Sequence, residues 1–201
     1  GATSTEGIGW NLTATSFDGD NDRVIAGTLP NDDFSIAFWG LANDDGTDGA
    51  FLGDNNAASG YAEGIYVYYD TSESEIRVTW GCDEAPSTCN AQATILSGAD
   101  AITMGNWHHY VVTFKPKGTG NVTLYIDGAL STSGVNSETK VDGNDFHLGD
   151  QGDSSDTREL YGLLQDVNVY DVILTADNVT ALYQSGAPTQ LARDIVSDNI
   201  T

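Results

Sequence analysis

The residues with the plainest chemical capacity are the oxygen donors of Leu148-Gly149-Asp150-Gln151-Gly152-Asp153, with Asp156 close behind. Calcium takes roughly six to eight oxygen ligands, and a loop that gathers carboxylates and carbonyls suits it. In an acidic chain the same residues also read as a solvated turn. Tyr61, Tyr66, Tyr68, Tyr69 and Trp80 form a second group. Tyr66 and Tyr68 alternate, so they project to one side of a strand, where aromatic rings can stack on sugars or simply cover a core edge. His108 and His109 look like a metal pair, but neighbours in a strand point to opposite faces and cannot chelate one ion together. Both read as structural.

These groups need strands to position them, and the chain supplies strands. Short runs of β-branched and aromatic residues alternate with Gly, Asn, Asp and Ser, the pattern of an all-β sandwich. Expected strands are 22–27, 33–41, 50–52, 64–69, 75–80, 91–96, 107–115, 121–126, 146–148 and 160–170. Asp127-Gly128 between Val122–Ile126 and Ala129-Leu130 predicts a tight hairpin, because both central positions of that turn need positive φ. One helix is expected over 176–184, capped by Thr175 and ended by Gly186 and Pro188, with Leu182 and Tyr183 facing the core. Residues 1–188 read as one domain and 189–201 as a tail or linker.

Length and charge narrow the function. A chain of 201 residues with 39% hydrophobic residues can bury one sizeable core. Its 30 Asp and Glu against 7 Lys and Arg give a net charge of -23. Such a surface repels phosphate backbones and anionic lipid, which argues against nucleic acid and membrane partners. It suits divalent cations, basic partners or the salty medium of marine or halophilic organisms. No apolar run is long enough to span a bilayer. The chain opens on Gly1 without Met, as expected of a processed protein or a piece of a larger one. Cys82 and Cys89 bracket a short turn-rich loop; a disulfide there implies an oxidising compartment, and two free thiols are the alternative. Sequons at Asn11, Asn121 and Asn178 are compatible with an extracellular setting, whether secreted, cell-surface or virion-surface.

Four ordered segments carry a family likeness. Phe17-Asp18-Gly19 with Asn21-Asp22 precedes Phe34-Ser35-Ile36-Ala37-Phe38-Trp39. Trp107-His108-His109-Tyr110-Val111-Val112-Thr113-Phe114 then leads to Leu124-Tyr125-Ile126-Asp127-Gly128, and Leu148-Gly149 to Gly162-Leu163-Leu164-Gln165-Asp166-Val167. Together the segments resemble the laminin G-like and pentraxin-like branch of the concanavalin A-like lectin/glucanase superfamily. That resemblance implies a jelly-roll of two antiparallel sheets, one convex and one concave. The residues' own chemistry agrees, with Trp39 and Trp107 as large core side chains and Tyr125 and Tyr170 filling the sheet interface.

The resemblance also implies calcium ligands. Asp153 matches a pentraxin ligand position, Gln151 stands where the family has Glu, and Glu63 lies near the family's Asp-Asn pair. Arg158 departs from the pattern, since the family has Gln there. Laminin G-like relatives often hold structural calcium, and Asp18, Asp22 and Asp166 would form such a second site if the N-terminal strand pairs beside the C-terminal one. Glucanases of this architecture place carboxylates in a Glu-x-Asp-x-x-Glu pattern on one strand. Glu73-Ser74-Glu75-Ile76-Arg77 lacks the third member. The expectation is therefore a non-catalytic, calcium-assisted module that binds glycan or another cell-surface or protein ligand. A structural subunit, such as a virion decoration or surface-appendage protein, is the rival.

Overall fold

The computed structural model describes residues 3–6, 13–54, 64–81, 93–115, 120–135, 144–152 and 158–186. Among them thirteen strands and one helix form two antiparallel sheets, the jelly-roll sandwich that the sequence implied. Strands are numbered in chain order: β1 Thr3–Glu6, β2 Thr13–Asp18, β3 Val24–Ile25, β4 Phe34–Ala42, β5 Gly49–Gly53, β6 Gly64–Asp70, β7 Glu75–Gly81 and β8 Ala93–Leu96. The series continues with β9 Trp107–Phe114, β10 Asn121–Ile126, β11 Ala129–Val135, β12 His147–Leu148 and β13 Tyr161–Tyr170. The helix, α1, spans Ala176–Gly186. One sheet has seven strands in the order β1-β2-β13-β4-β9-β10-β11, and the other six in the order β3-β12-β5-β6-β7-β8.

Period-two alternation fills the space between the sheets. Phe34, Ile36 and Phe38 of β4 lie beside Phe114, Val112 and Tyr110 of the adjacent β9 and pack with the inner residues of the six-stranded sheet in one buried cluster. Aromatic rings dominate it, with Phe38, Phe51 and Tyr110 packed at centroid distances of 5.1 to 5.5 Å. A register shift in β5 between Ala50 and Leu52 lets Phe51 and Leu52 both enter this core while Ala50 faces outward.

The other face of the seven-stranded sheet is also buried, because α1 lies on it. Ala37 and Val111 meet Leu174 and Val179 there, with Tyr125, Tyr170 and Leu182 packed alongside. Tyr125 and Tyr170 thus sit under the helix and not at the sheet interface. Trp39 joins them, stacked on Tyr183 at 5.6 Å. A strand covered on both faces reads as a continuous apolar run, which is why Phe34–Trp39 shows no polar alternation beyond Ser35. The Ser35 hydroxyl donates to the Val172 carbonyl at 2.8 Å and accepts the Leu174 amide at 2.9 Å, fixing the approach to α1. Thr175 caps the helix, its Oγ1 accepting the Asn178 amide at 3.3 Å while Asn178 Oδ1 accepts the Thr175 amide at 3.1 Å.

The hairpin joining β10 and β11 has the expected turn, with Asp127 at φ 51° and Gly128 at φ 80°. α1 docks on it through Thr180 Oγ1, which donates to the Gly128 carbonyl at 3.2 Å. A Cβ on Gly128 would lie 2.9 Å from Tyr183 Cδ1. Gly128→Ala is therefore expected to lower stability by about 1–2 kcal/mol through strain at positive φ and displacement of the helix, measurable as a lower urea midpoint at unchanged slope.

Candidate functional site

Outward residues of the six-stranded sheet gather around Tyr68. Tyr66 and Tyr68 project from β6 opposite to Ile65, Val67 and Tyr69, and their rings stack at 5.4 Å. From β7 the Arg77 guanidinium lies 5.9 Å from the Tyr68 centroid. Arg77 is itself clamped, with Nε 2.6 Å from Glu75 and Nη2 2.6 Å from Asp70. The Ser72 hydroxyl, opposed by burial and helped by the Glu73 amide and the Arg77 charge, holds the Asp70 carboxyl below its ordinary range. A second guanidinium, Arg158, lies closer over the Tyr68 ring, at 4.8 Å.

This geometry corrects the aromatic reading. Tyr66 and Tyr68 do project to one side, but they are only 5% and 6% exposed, and the Tyr68 face is covered by Arg158. Trp80 points inward, 1% exposed, with its ring edge-on to Phe114. It belongs to the core and not to a binding face. Tyr61 lies outside the described residues, as do Glu63, Cys82, Cys89, Asp153 and Asp156.

The described part of the acidic loop after β12, Asp150 and Gln151, is engaged by protein donors. Asp150 Oδ1 takes His147 Nδ1 at 2.8 Å and the Gly152 amide at 2.7 Å, and Oδ2 lies 3.8 Å from Arg23. Gln151 is buried and its Oε1 accepts Arg158 Nη1 at 3.2 Å. A calcium ion would have to displace these donors and sit beside two arginines. Asp150 and Gln151 therefore do not fit a calcium cradle, and among the described residues no three His, Cys, Asp or Glu side chains are grouped to hold a metal.

Nor do Asp18, Asp22 and Asp166 converge. β2 does pair with β13, as the second-site reading required, but the register sets Asp18 opposite Tyr161. Asp166 is five residues further along β13, about 16 Å away at ~3.3 Å per residue. It occupies a bulge at φ 52° and is exposed. Asp22 Oδ2 instead accepts the Asp18 amide at 3.1 Å, an internal turn bond.

The rim beside Arg158 is open. A pocket of about 350 Å³ is lined, among the described residues, by Gly46, Thr47, Asp48 and Arg158. The segment carrying Gly46 and Thr47 is shaped by two Asx turns, Asp44 accepting the Gly46 amide and Asp45 the Thr47 amide, at 3.0 and 2.9 Å. Asp48 Oδ1 accepts the Thr71 amide at 3.1 Å. Arg158 Nη1 is held by Gln151, while its Nε is buried and meets no acceptor. Unlike Arg23 and Arg77, Arg158 has no carboxylate partner among the described residues. In the sequence Arg158 stands out only as a departure from a family pattern. The available signal was a lone arginine placed within a run of acidic residues.

His108 and His109 sit on the other sheet, in β9, and face opposite ways. His108 Nδ1 meets Asp127 Oδ2 at 2.7 Å and its Nε2 accepts the Thr103 amide at 3.1 Å, which assigns the proton to Nδ1. Burial raises the Asp127 carboxyl, but hydrogen bonds from His108 and the His109 amide outweigh it, and the group is held below its ordinary range. His109 is buried on the helix side against Trp39, at 5.1 Å.

A laminin G-type family model, described as Concanavalin A-like lectin/glucanases superfamily, matches residues 18–180. No curated protein matches the chain. Among solved structures it is similar to the binding domain of Paraclostridial Mosquitocidal Protein 1, at 16% identity over 92% of this chain and 46% of that one, with a TM-score of 0.70. It is also similar to a heptameric SAP-like pentraxin from Limulus polyphemus, at 17% identity over 84% of this chain and 80% of that one, TM-score 0.59. A third is the botulinum neurotoxin serotype D ligand binding domain in complex with N-acetylneuraminic acid, at 14% identity over 92% of this chain and 44% of that one, TM-score 0.62. At these identities the likeness is one of fold. The chain spans just under half the length of the toxin binding domains it matches.

Proposed function

Because the chain belongs to the Concanavalin A-like lectin/glucanases superfamily, we propose that it is a non-catalytic, extracellular recognition domain that binds a glycan at the Thr47, Asp48 and Arg158 pocket. The observation that carries this reading is the open pocket itself. Its volume suits a sugar unit, and polar residues of both charges, Thr47, Asp48 and Arg158, line it. The neurotoxin domain solved with N-acetylneuraminic acid supports the same class of ligand. Catalysis is disfavoured because Asp70 and Glu75, two outward carboxylates among the described residues of this sheet, are both committed to Arg77. Glycoside hydrolysis needs a pair of carboxylates free to face the substrate. Recognition in this reading does not depend on calcium held by Asp150 and Gln151, whose oxygens have protein partners.

The test is a glycan array followed by amide chemical-shift mapping with the best array sugar. Perturbations are expected at 46–48 and Arg158. An array without a single hit, or shifts confined to the other sheet, would sink the proposal. One observation favours the rival assembly role. Among the described residues edge strand β11 pairs only with β10, carries no charge, and exposes Leu130 and Val135 at 64% and 73%. Light scattering that finds oligomers dispersed by Leu130→Lys would support that reading.

A further inference from the structure

We propose that α1 is an acid-released cover: protonation of His109 favours a state in which the turn carrying Tyr183 lifts from the seven-stranded sheet while the two sheets stay packed. His109 is 3% exposed, and its ring lies 5.1 Å from Trp39 of β4 and 6.1 Å from Tyr183 of α1. Of these two covers only Tyr183 can leave without opening the sheet, so water reaches the imidazole by way of the helix. Protonation beneath a docked helix would place a charge on a buried ring whose Nδ1 meets no hydrogen-bond partner, which is costly. Burial accordingly pushes the imidazole down to about 4. With Tyr183 away the ring titrates near its ordinary 6.5, so between these two values the proton goes to the released form and draws the equilibrium toward it.

The neighbouring carboxylates soften this effect without cancelling it. Asp127, from the turn between β10 and β11, and Asp166, from β13, both favour the charged ring. Asp127 already has Oδ1 on the His109 amide and Oδ2 on His108, which lies on the opposite face of β9, while Asp166 Oδ2 lies 3.4 Å from Gln165 Nε2. β4 brings no ionisable group, and α1 brings the Tyr183 phenol. Release can stop at the helix because the two buried clusters are separate. α1 is held through Leu174, Val179 and Leu182 on Ala37, Val111, Tyr125 and Tyr170, whereas the inter-sheet core contains no residue of α1. Lifting the last turns therefore sacrifices far less apolar contact than parting the sheets. The start of the helix stays tethered by the Ser35 hydroxyl and the Thr175 cap.

The experiment is amide hydrogen exchange on the full chain from pH 7 to 4.5, with rates corrected for the intrinsic pH dependence of exchange. The opening constant of amides 180–186 is expected to rise as pH falls below 6.5, by at most about tenfold per pH unit for one proton and on the order of fiftyfold across the range. Amides of β4, β6 and β9 should keep their protection. In His109→Phe, which retains a ring beneath Tyr183 but takes no proton, the rise should disappear. If phenylalanine overfills the site and leaves α1 open at every pH, the same comparison is read from His109→Gln. Protection of α1 that does not change with pH overturns the inference. So does a pH response that survives both substitutions, or loss of protection in α1 and both sheets together, which would make the acid response one of global unfolding.

Discussion

Replacing Trp80 with alanine is expected to cost about 3–5 kcal/mol of folding stability and to leave ligand binding unchanged at temperatures where the variant remains folded. The side chain is 1% exposed, among the largest fully buried residues, and edge-on to Phe114 in the centre of the inter-sheet cluster. Removing an indole from such a site forfeits its transfer free energy and leaves a cavity that β6, β7 and β9 cannot close together. Urea melts of wild type and Trp80→Ala give the loss directly. The opposite pattern, unchanged stability with lost binding, would place the ring on a ligand face and contradict the inward register of β7.

Mild acid is expected to weaken the fold through His109. Burial under α1 pushes its imidazole down to about 4 from an ordinary 6.5, although Asp127 and Asp166 pull in the other direction. Its Nδ1 is buried without a hydrogen-bond partner, and Trp39 and Tyr183 pack against the ring at 5.1 and 6.1 Å. The folded state therefore favours the neutral ring, whereas the unfolded chain takes up a proton near pH 6.5. Stability from this group is complete above that pH and is lost as pH falls from 6.5 through 4. The loss is on the order of 3 kcal/mol for a shift of this size. Carboxylates titrate in the lower part of the same range, so the informative quantity is the difference from His109→Gln. Wild type should lose stability more steeply than the variant between pH 6.5 and 4, and parallel curves would refute the buried-neutral assignment.

Local chemistry made much of this fold readable. Asp127-Gly128 announced its turn because so few residue pairs tolerate two positive φ values, and Thr175 announced α1 because its hydroxyl can cap an amide. The shared side of Tyr66 and Tyr68 was legible because strand positions two apart point the same way, whereas Tyr69, offered beside them, points into the core. The placement of Trp39, Tyr125 and Tyr170 was not legible. In a sheet covered on both faces, apolar periodicity cannot say which face meets the other sheet and which meets the helix. β1 and β2, Thr- and Ser-rich with little alternation, gave no strand signal at all.

The site was less legible for a related reason. The sequence displays the oxygens of Asp150 and Gln151, but the groups that engage them, Arg23, His147 and Arg158, arrive from separate elements. Donor supply can be read along a chain; donor occupancy depends on the tertiary fold. The same holds for Arg158, whose importance comes from Tyr68 beneath it and Asp48 beside it, each remote in sequence.

The most direct measurement is calorimetric titration of the best array glycan into wild type and Arg158→Gln, each with calcium and with EDTA. A guanidinium-centred pocket predicts that wild-type affinity is the same in both buffers and falls about tenfold or more on substitution. Affinity that vanishes in EDTA while surviving the loss of Arg158 would contradict it, and would return recognition to a metal held by the acidic loop.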